Sequence, residues 1–420
     1  MLLYAGRTEA EEPPAFQSSI DTGYSRIDKD SYWALLIHQH IEYWGFVLVT
    51  SAPLHFRLAD NNSQDYRGIR GQDWDEASDF GRIVPKLAFS KELSDGLVAF
   101  SFGNVGDYSM GKGTIVAHFS NNIEMDHYHP GAVVMGNWKG NGGSFLIDNV
   151  FMPTVIAGRF YISPVAWFSS RKSSEILELG ATVASGLTMP FVYHESKQLN
   201  ILTAGGEIIF HFMKNEKGKL DLYSAAMAMD GDGGFHVGMD VRVNISTSSQ
   251  NVILGLLGEY RFVGHDYHPA VFNPFYEKLR LDFMRSATNL PLSLADQLSF
   301  EEDMPAQHGM MFEVSVDWTD TIQFCARYDR EGKTRPHWVL LNLTAKPSPH
   351  YQFRLFYSGY DESGSKAPFG YNNLMAFAFR GRLWKPFDIL GHFSRRFRRQ
   401  HQHIRFANEI LGGLGFAVRY

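Results

Sequence analysis

The stretch His236-Val237-Gly238-Met239-Asp240-Val241-Arg242-Val243-Asn244-Ile245 decides the fold. Every second residue, from Val237 through Met239, Val241 and Val243 to Ile245, is apolar, while His236, Gly238, Asp240, Arg242 and Asn244 stand between them. Successive Cβ atoms of a β-strand point to opposite faces of the sheet, so a period of two means a strand with one apolar and one polar face. The pattern recurs downstream. Val252, Leu254, Leu256, Tyr260 and Phe262 oppose Glu259 and Arg261, and Phe312, Val314, Val316 and Trp318 alternate with Glu313, Ser315 and Asp317. Ile322, Phe324, Ala326 and Tyr328 alternate with Gln323, Cys325 and Arg327, and Tyr351, Phe353, Leu355 and Tyr357 face away from Gln352 and Arg354.

A two-sheet sandwich shares this period, so the polar face has to discriminate. It carries full charges in mid-strand at Asp240, Arg242, Glu259, Arg261, Arg327 and Arg354. These would be costly in a dry core but are accepted by a wet lumen, and the six are expected to line one. Aromatic residues at strand ends, Trp318, Tyr328, Tyr351, Tyr357 and Trp384, fit girdles at two lipid-water interfaces. The predicted fold class is all-β, a closed antiparallel transmembrane β-barrel of about 18 to 20 strands.

The connections show a second regularity. Short polar links at Trp44-Gly45, Lys91 to Asp95, Lys139 to Gly142, Asn215 to Lys217, Ser246 to Gln250, Trp318 to Asp320 and Lys346 to Pro349 alternate with longer ones. The long ones run from Asp60 to Asp79, Val105 to Gly131, Gly186 to Leu199, Gly264 to Gln307, Tyr360 to Gly370 and Arg395 to Ala407. Short on one side and long on the other is the layout of periplasmic turns and extracellular loops. It implies a periplasmic N-terminal segment at 1–15 and a barrel over 16–420.

Composition agrees. The chain of 420 residues holds 39 Gly, 33 Phe, 19 Tyr and 8 Trp with only 44% hydrophobic residues and a mean hydropathy of -0.21. That is too polar for a bundle of membrane helices, and no stretch approaches the ~18 to 20 apolar residues that a spanning helix needs. A net charge of -6 gives no global attraction to nucleic acid, which is not expected as a partner. The single Cys325 excludes an intrachain disulfide. Met1 to Tyr4 are followed at once by Arg7, Glu9, Glu11 and Glu12, which is not the pattern of an export signal. The expectation is therefore a mature or trimmed form.

The end of the chain alternates again, with Ile410, Gly412, Leu414, Phe416, Val418 and Tyr420 separated by small or polar residues. Here the sequence resembles bacterial outer-membrane β-barrels as a class, porin-like proteins whose closing strand ends in an aromatic residue. Gly415, Val418 and Tyr420 match that insertion signal, while Leu414 stands where a polar residue is usual. The segment from Trp74 to Pro164 is also similar to uncharacterised outer-membrane proteins of Gram-negative bacteria. The resemblance implies a location in the outer membrane, with lipid, lipopolysaccharide and the barrel-insertion machinery as partners. It brings no activity and no cofactor.

Candidate chemistry is sparse. Gly106 to Lys112 matches the start of a phosphate-binding loop, but Gly113 replaces the magnesium-ligating Ser or Thr, and no parallel α/β unit surrounds it. Asp126-His127-Tyr128-His129-Pro130 and His265-Asp266-Tyr267-His268-Pro269 share an element whose imidazoles and carboxylates could form a transition-metal site if the two loops met, so His127, His129, His265 and His268 are weak candidates and no metal is expected. Arg395, Arg396, Arg398 and Arg399 form a basic run suited to lipopolysaccharide phosphates or to a solvated loop. Asp73, Asp75, Glu76 and Asp79 make an acidic stretch that could bind calcium or another cation but is more often a solvated loop. No spacing singles out catalytic residues. A barrel this wide encloses an aqueous passage, so the expected function is a porin-like channel or transporter for small solutes, with Val105 to Gly131 and Gly264 to Gln307 folding inward to narrow it. The alternative is a non-conducting barrel that serves as a surface scaffold or as the membrane anchor of a larger assembly with other envelope proteins, and an outer-membrane enzyme is a third, less favoured reading.

Overall fold

The computed structural model describes residues 15–59, 68–167, 176–190, 198–246, 250–265, 267–281, 284–285, 291–292, 306–319, 321–332, 337–348, 350–361, 373–400 and 403–419. Strands dominate it. The first half holds β1 (Ala15–Ile27), β2 (Asp30–Tyr43), β3 (Phe46–Ala59), β4 (Lys86–Leu93), β5 (Gly96–Gly103), β6 (Gly131–Trp138), β7 (Asn141–Ile147), β8 (Val155–Ile162), β9 (Leu177–Pro190) and β10 (Gln198–Asn215). The second half begins with β11 (Gly218–Met229), β12 (Asp232–Ser246) and β13 (Asn251–Val263). Two short strands, β14 (Met284–Arg285) and β15 (Pro291–Leu292), pair only with each other. The wall resumes with β16 (Gln307–Trp318), β17 (Ile322–Arg330), β18 (His337–Ser348), β19 (Tyr351–Asp361), β20 (Asn373–Trp384), β21 (Phe387–Gln400) and β22 (His403–Arg419).

Among the described residues the main sheet has 20 strands, each antiparallel to its neighbour in sequence, and the ring closes where β1 meets β22 from Gln17↔Arg419 to Ile27↔Glu409. Closure gives every wall strand two partners, the condition for strands to cross hydrocarbon, although β3 pairs with β4 only from Phe46 to Val49 and its farther part is met on that side by the 68–70 segment. No described helix is long and apolar enough to span a membrane. Tight turns carry the hairpins. Trp44-Gly45, Lys139-Gly140 and Asp230-Gly231 each place two successive residues at positive φ, as a turn matched to strand twist requires.

The expected register of faces holds across the wall. Val237, Met239, Val243 and Ile245 are exposed on the outside of β12, with Val241 half-buried between them, and His236, Gly238 and Asp240 are buried within. Leu254, Leu256, Tyr260 and Phe262 of β13, Met310 and Phe312 of β16, and Ile410, Leu414 and Phe416 of β22 are likewise outside. Trp44 (75% exposed), Trp138 (58%), Tyr351 and Trp384 (61%) stand beside short turns at the end where the chain begins. Tyr24, Trp33, Phe235, Tyr260 and Phe262 stand toward the other end. Tyr357, expected in a girdle, is instead buried, with Leu341 and Met375 as its cross-strand neighbours.

The connections depart from the expected layout in several places, and Asp28-Lys29 and Asp230-Gly231 are two-residue turns on the side of the long loops. Arg395 to Ala407 is not a long loop. Most of it is ladder, from Arg395↔Asn408 to Gln400↔His403, because here the strands continue without an apolar outer face to mark them. Gly186 to Leu199 is likewise shortened, as β9 runs to Pro190 and β10 starts at Gln198. On the side of short turns, β8 and β9 are joined by a longer link that holds a 3-10 helix at Pro164–Trp167. Gly106 to Lys112 belongs to the connection between antiparallel β5 and β6, which lacks the strand-to-helix setting of a phosphate loop.

The main apolar cluster lies inside the ring. Val105, Tyr108, Met110, Ile115, Val116 and Phe119 from the β5–β6 connection pack with Tyr267, Val271, Phe272, Phe275 and Tyr276 from the segment after β13, and with wall residues such as Trp338 and Leu340. The two connections are stitched together. Ala270 donates its N–H to Thr114 (2.8 Å), Ala117 to Phe272 (3.0 Å) and Phe272 to Ile115 (3.2 Å). Both connections therefore fold inward over their described residues, 105–119 of the first and 267–276 of the second.

Met239 lies at the middle of β12 with its side chain 40% exposed on the outer face. Met239→Arg is expected to destabilise the folded protein in lipid by about 2 to 4 kcal/mol, the cost of a cation at the bilayer midplane. Urea unfolding in liposomes measures it, and a wild-type midpoint would mean that this face does not meet hydrocarbon.

Candidate functional site in the barrel lumen

Inward positions on neighbouring strands are brought together by the ladder, and here they make a charge network. Arg261 on β13 is fully buried. Its Nη1 and Nη2 donate to the two carboxylate oxygens of Asp329 at 2.6 and 3.1 Å, and its Nε donates to Glu259. Glu259 also accepts from the Tyr223 hydroxyl (2.8 Å) and from His236 Nδ1 (3.0 Å), whose Nε2 meets the Tyr267 hydroxyl (2.8 Å) of the inserted segment. Arg327 donates to Asp329 (2.8 Å), and its guanidinium lies 5.1 Å from the centre of the Trp338 ring. A planar fork between two carboxylates keeps each charge compensated away from water.

A second group anchors the β5–β6 connection to the wall. Lys112 Nζ donates to Asp221 (2.8 Å) on β11 and to Asp240 (2.7 Å) on β12. Asp221 also takes bonds from Lys219 (2.6 Å) and from His211 Nδ1 (2.6 Å). Farther along, His118 meets Glu313 on β16 through Nε2 (2.9 Å) and Asp107 through Nδ1, while Asn342 on β18 donates to Asp107 (3.1 Å). The connection leaves the wall at β5 and returns at β6, so its contacts with the arc from β11 and β12 to β16 and β18, well round the ring, mean that it crosses the lumen. Arg159 on β8 donates to Glu207 (2.6 Å) and Glu178 (2.7 Å).

Below the crossing segment, two adjoining cavities of about 360 and 710 Å³ open inside the ring, with Ser109, His118, Arg159, Arg242 and Glu313 among the residues lining both. Their other lining residues include Asn137, Lys219 and Asp317, which stand near short turns, so the space faces the end where the chain begins. The roof is Ser109 to Lys112 and His118 rather than wall.

At the opposite end, Arg70 is buried and donates to Asp73 and Asp126, and His55 Nδ1 donates to Asp73 (2.8 Å). Burial opposes the Asp73 charge, yet Arg70, His55 and Arg82 hold its carboxyl well below the ordinary range. This network ties the β3–β4 and β5–β6 connections together.

Among the residues singled out from sequence, Asp240, Glu259, Arg261 and Arg327 are buried on the inner face, and Arg242 is exposed along both cavities. Arg354 is exposed on the face that β19 shares with Phe356, which packs against the internal core. In the basic run, Arg396 pairs with Glu409 (2.9 Å), Arg398 donates to Asp126, and Arg395 stacks on Phe406 at 5.0 Å, while the Arg399 side chain lies outside the described residues. His127 stands by Glu76 (3.6 Å), Glu124 (3.8 Å) and Asp75 (3.9 Å), whereas His268 meets Glu331 (3.0 Å). The two loops meet at 114–117 and 270–272, away from their histidines. His129 is half-buried and His265 exposed. Gly415 faces inward, Val418 is half-buried, and Tyr420 lies outside the described residues, as do residues 1–14.

No protein-family model matches this chain, and no curated protein sequence does. Among solved structures it is similar to OccK2 (OpdF) of Pseudomonas aeruginosa at 9% identity and a TM-score of 0.33, covering 97% of each chain. It is similar also to P. aeruginosa OpdK with vanillate and to Acinetobacter baumannii OccAB3, each at 8% identity and a TM-score of 0.35 over 97% of this chain and 99% of the other. At such scores the assignment rests on the ladder and the two faces of the wall. The chain is a closed transmembrane β-barrel.

Several members of the lumen network escaped the sequence reading. Asp221, between Leu220 and Leu222, and Asp329, beside Tyr328, sit at inward positions that the period of two marks, so they were findable. Lys112 and His118 lie in an aperiodic connection and carry no such signal.

Replacing Arg261 by Met leaves the Glu259 and Asp329 carboxylates buried without their shared cation. The expected loss is about 3 to 5 kcal/mol of folding stability, read as a lower urea midpoint in detergent. An unchanged midpoint would show that the network remains hydrated.

Proposed function

We propose that this protein is a channel of a bacterial outer membrane that passes small polar solutes through a constricted lumen, with its short turns and chain ends in the periplasm. The observation that carries the reading is the adjoining pair of cavities inside the ring, lined by Lys112, Arg159, Lys219, Arg242, Glu178, Asp240 and Glu313. A structural barrel has no need of a charged internal space, since filling it with apolar side chains avoids the desolvation of each ion. The apolar outer band with aromatic girdles supports placement in the membrane.

Charges of both signs face the same space, so a solute crossing it can exchange part of its hydration for side-chain partners of either sign. The crossing segment Ser109 to His118 narrows the passage from within, which sets an upper limit on solute size. Wall and roof thus have separate roles: the ladder fixes the diameter, and the inserted connection fixes the constriction.

Purified protein in planar bilayers is expected to give discrete conductance steps. Arg242→Glu, at a residue exposed along both cavities, should shift the reversal potential in a salt gradient toward cation selectivity and leave the heat-modifiable mobility of the barrel unchanged. Absence of any conductance from folded protein would sink the channel reading and favour a closed scaffold.

A further inference from the structure

We infer that His118, Glu313 and Cys325 form a lumenal binding site for a divalent transition-metal ion of the zinc class. The three residues come from the β5–β6 connection, β16 and β17, and one ligand atom from each lies within 4.8 Å of the other two. Two ligands on one tetrahedral zinc stand about 3.3 to 3.8 Å apart, so the cluster needs only a small contraction around an ion. An imidazole, a thiolate and a carboxylate are a donor set that selects such ions over calcium or magnesium. All three residues line the larger cavity, which supplies both an entry route and room for a water in the fourth position.

The surroundings match what a metal-binding histidine requires. Its far nitrogen, Nδ1, is held by the Asp107 carboxylate, which Asn342 fixes in turn through a 3.1 Å hydrogen bond. A carboxylate on the far nitrogen sets the tautomer, aims the near nitrogen and raises its basicity. At Nε2 the ion replaces the proton shared with Glu313, and at Cys325 it replaces the thiol proton, so binding releases protons to solvent. Arg327 Nη1 stands 3.5 Å from Glu313, a charge that opposes a nearby cation, but Asp329 compensates it at 2.8 Å. Against the dication then stand Glu313, the thiolate and Asp107. The ion would join the crossing connection to two wall strands at once.

The test is titration of chelator-treated, detergent-folded protein with Co²⁺ and then Zn²⁺. The expected result is one equivalent of Co²⁺ with a near-ultraviolet thiolate-to-cobalt band, bleached by Zn²⁺ and absent in Cys325→Ser. Asp107→Asn should weaken binding about 10- to 100-fold, and His118→Gln by at least as much. Should Cys325→Ser fail to fold, alkylation of Cys325 in the wild-type protein decides instead, with at least ~10-fold slowing by Zn²⁺ expected on the same scale. A folded wild-type protein with no thiolate band, a band of unchanged midpoint in His118→Gln and Glu313→Gln, or alkylation indifferent to Zn²⁺ would overturn the site.

Discussion

Hydrocarbon offers no partner to a backbone N–H or C=O, and each one left open inside a bilayer costs several kcal/mol. That constraint governs this chain. It forbids a free strand edge, so the sheet curls until β1 pairs with β22. It requires each strand to present an apolar side outward, which frees the other side for polar residues. The width of the ring then follows from the number of strands, and a ring of this width has an interior that must be filled with side chains, inserted chain or water.

The interior uses all three. In the half remote from the chain ends, apolar residues of the two inserted connections pack against Trp338, Leu340 and Tyr360 as an ordinary core would. In the other half the space stays open. Between them runs a layer of ion pairs in which hardly any charge has a single partner: Arg261 serves Glu259 and Asp329, Lys112 serves Asp221 and Asp240, and Arg159 serves Glu178 and Glu207. Such sharing suits a boundary between packed chain and water. Each carboxylate is neutralised from the wall or from the connection, and the connection is held by charge as well as by apolar contact.

The wall was legible in the sequence because lipid imposes a rule that repeats at every second residue. Val237 to Ile245 and Phe312 to Trp318 declare their outer faces directly, and turns such as Trp44-Gly45 declare themselves by a glycine that accepts positive φ. The rule lapses wherever strands leave the membrane. Arg395 to Gln400 pairs with His403 to Asn408 but reads as a basic loop, since above the bilayer neither face need be apolar. The lumenal site was legible only in part for a related reason. Inward wall residues such as Glu313 are marked by the same alternation, whereas His118 and Lys112 are placed by a connection whose path is fixed by three-dimensional packing alone. The apolar run Ile115-Val116-Ala117 within a supposed loop was the available hint that this connection is buried.

The seam of the ring has a consequence in time. Among the described wall strands β1 is made before all the others, and the strand that completes it, β22, after them. Hairpins such as β1–β2 can form from neighbouring residues, but one side of β1 stays unsatisfied until β22 exists. Loop-closure entropy rises only slowly with length, so this long wait adds little free energy. What it imposes is a schedule: the chain has to be kept from joining its open edge to another copy until its own last strand arrives.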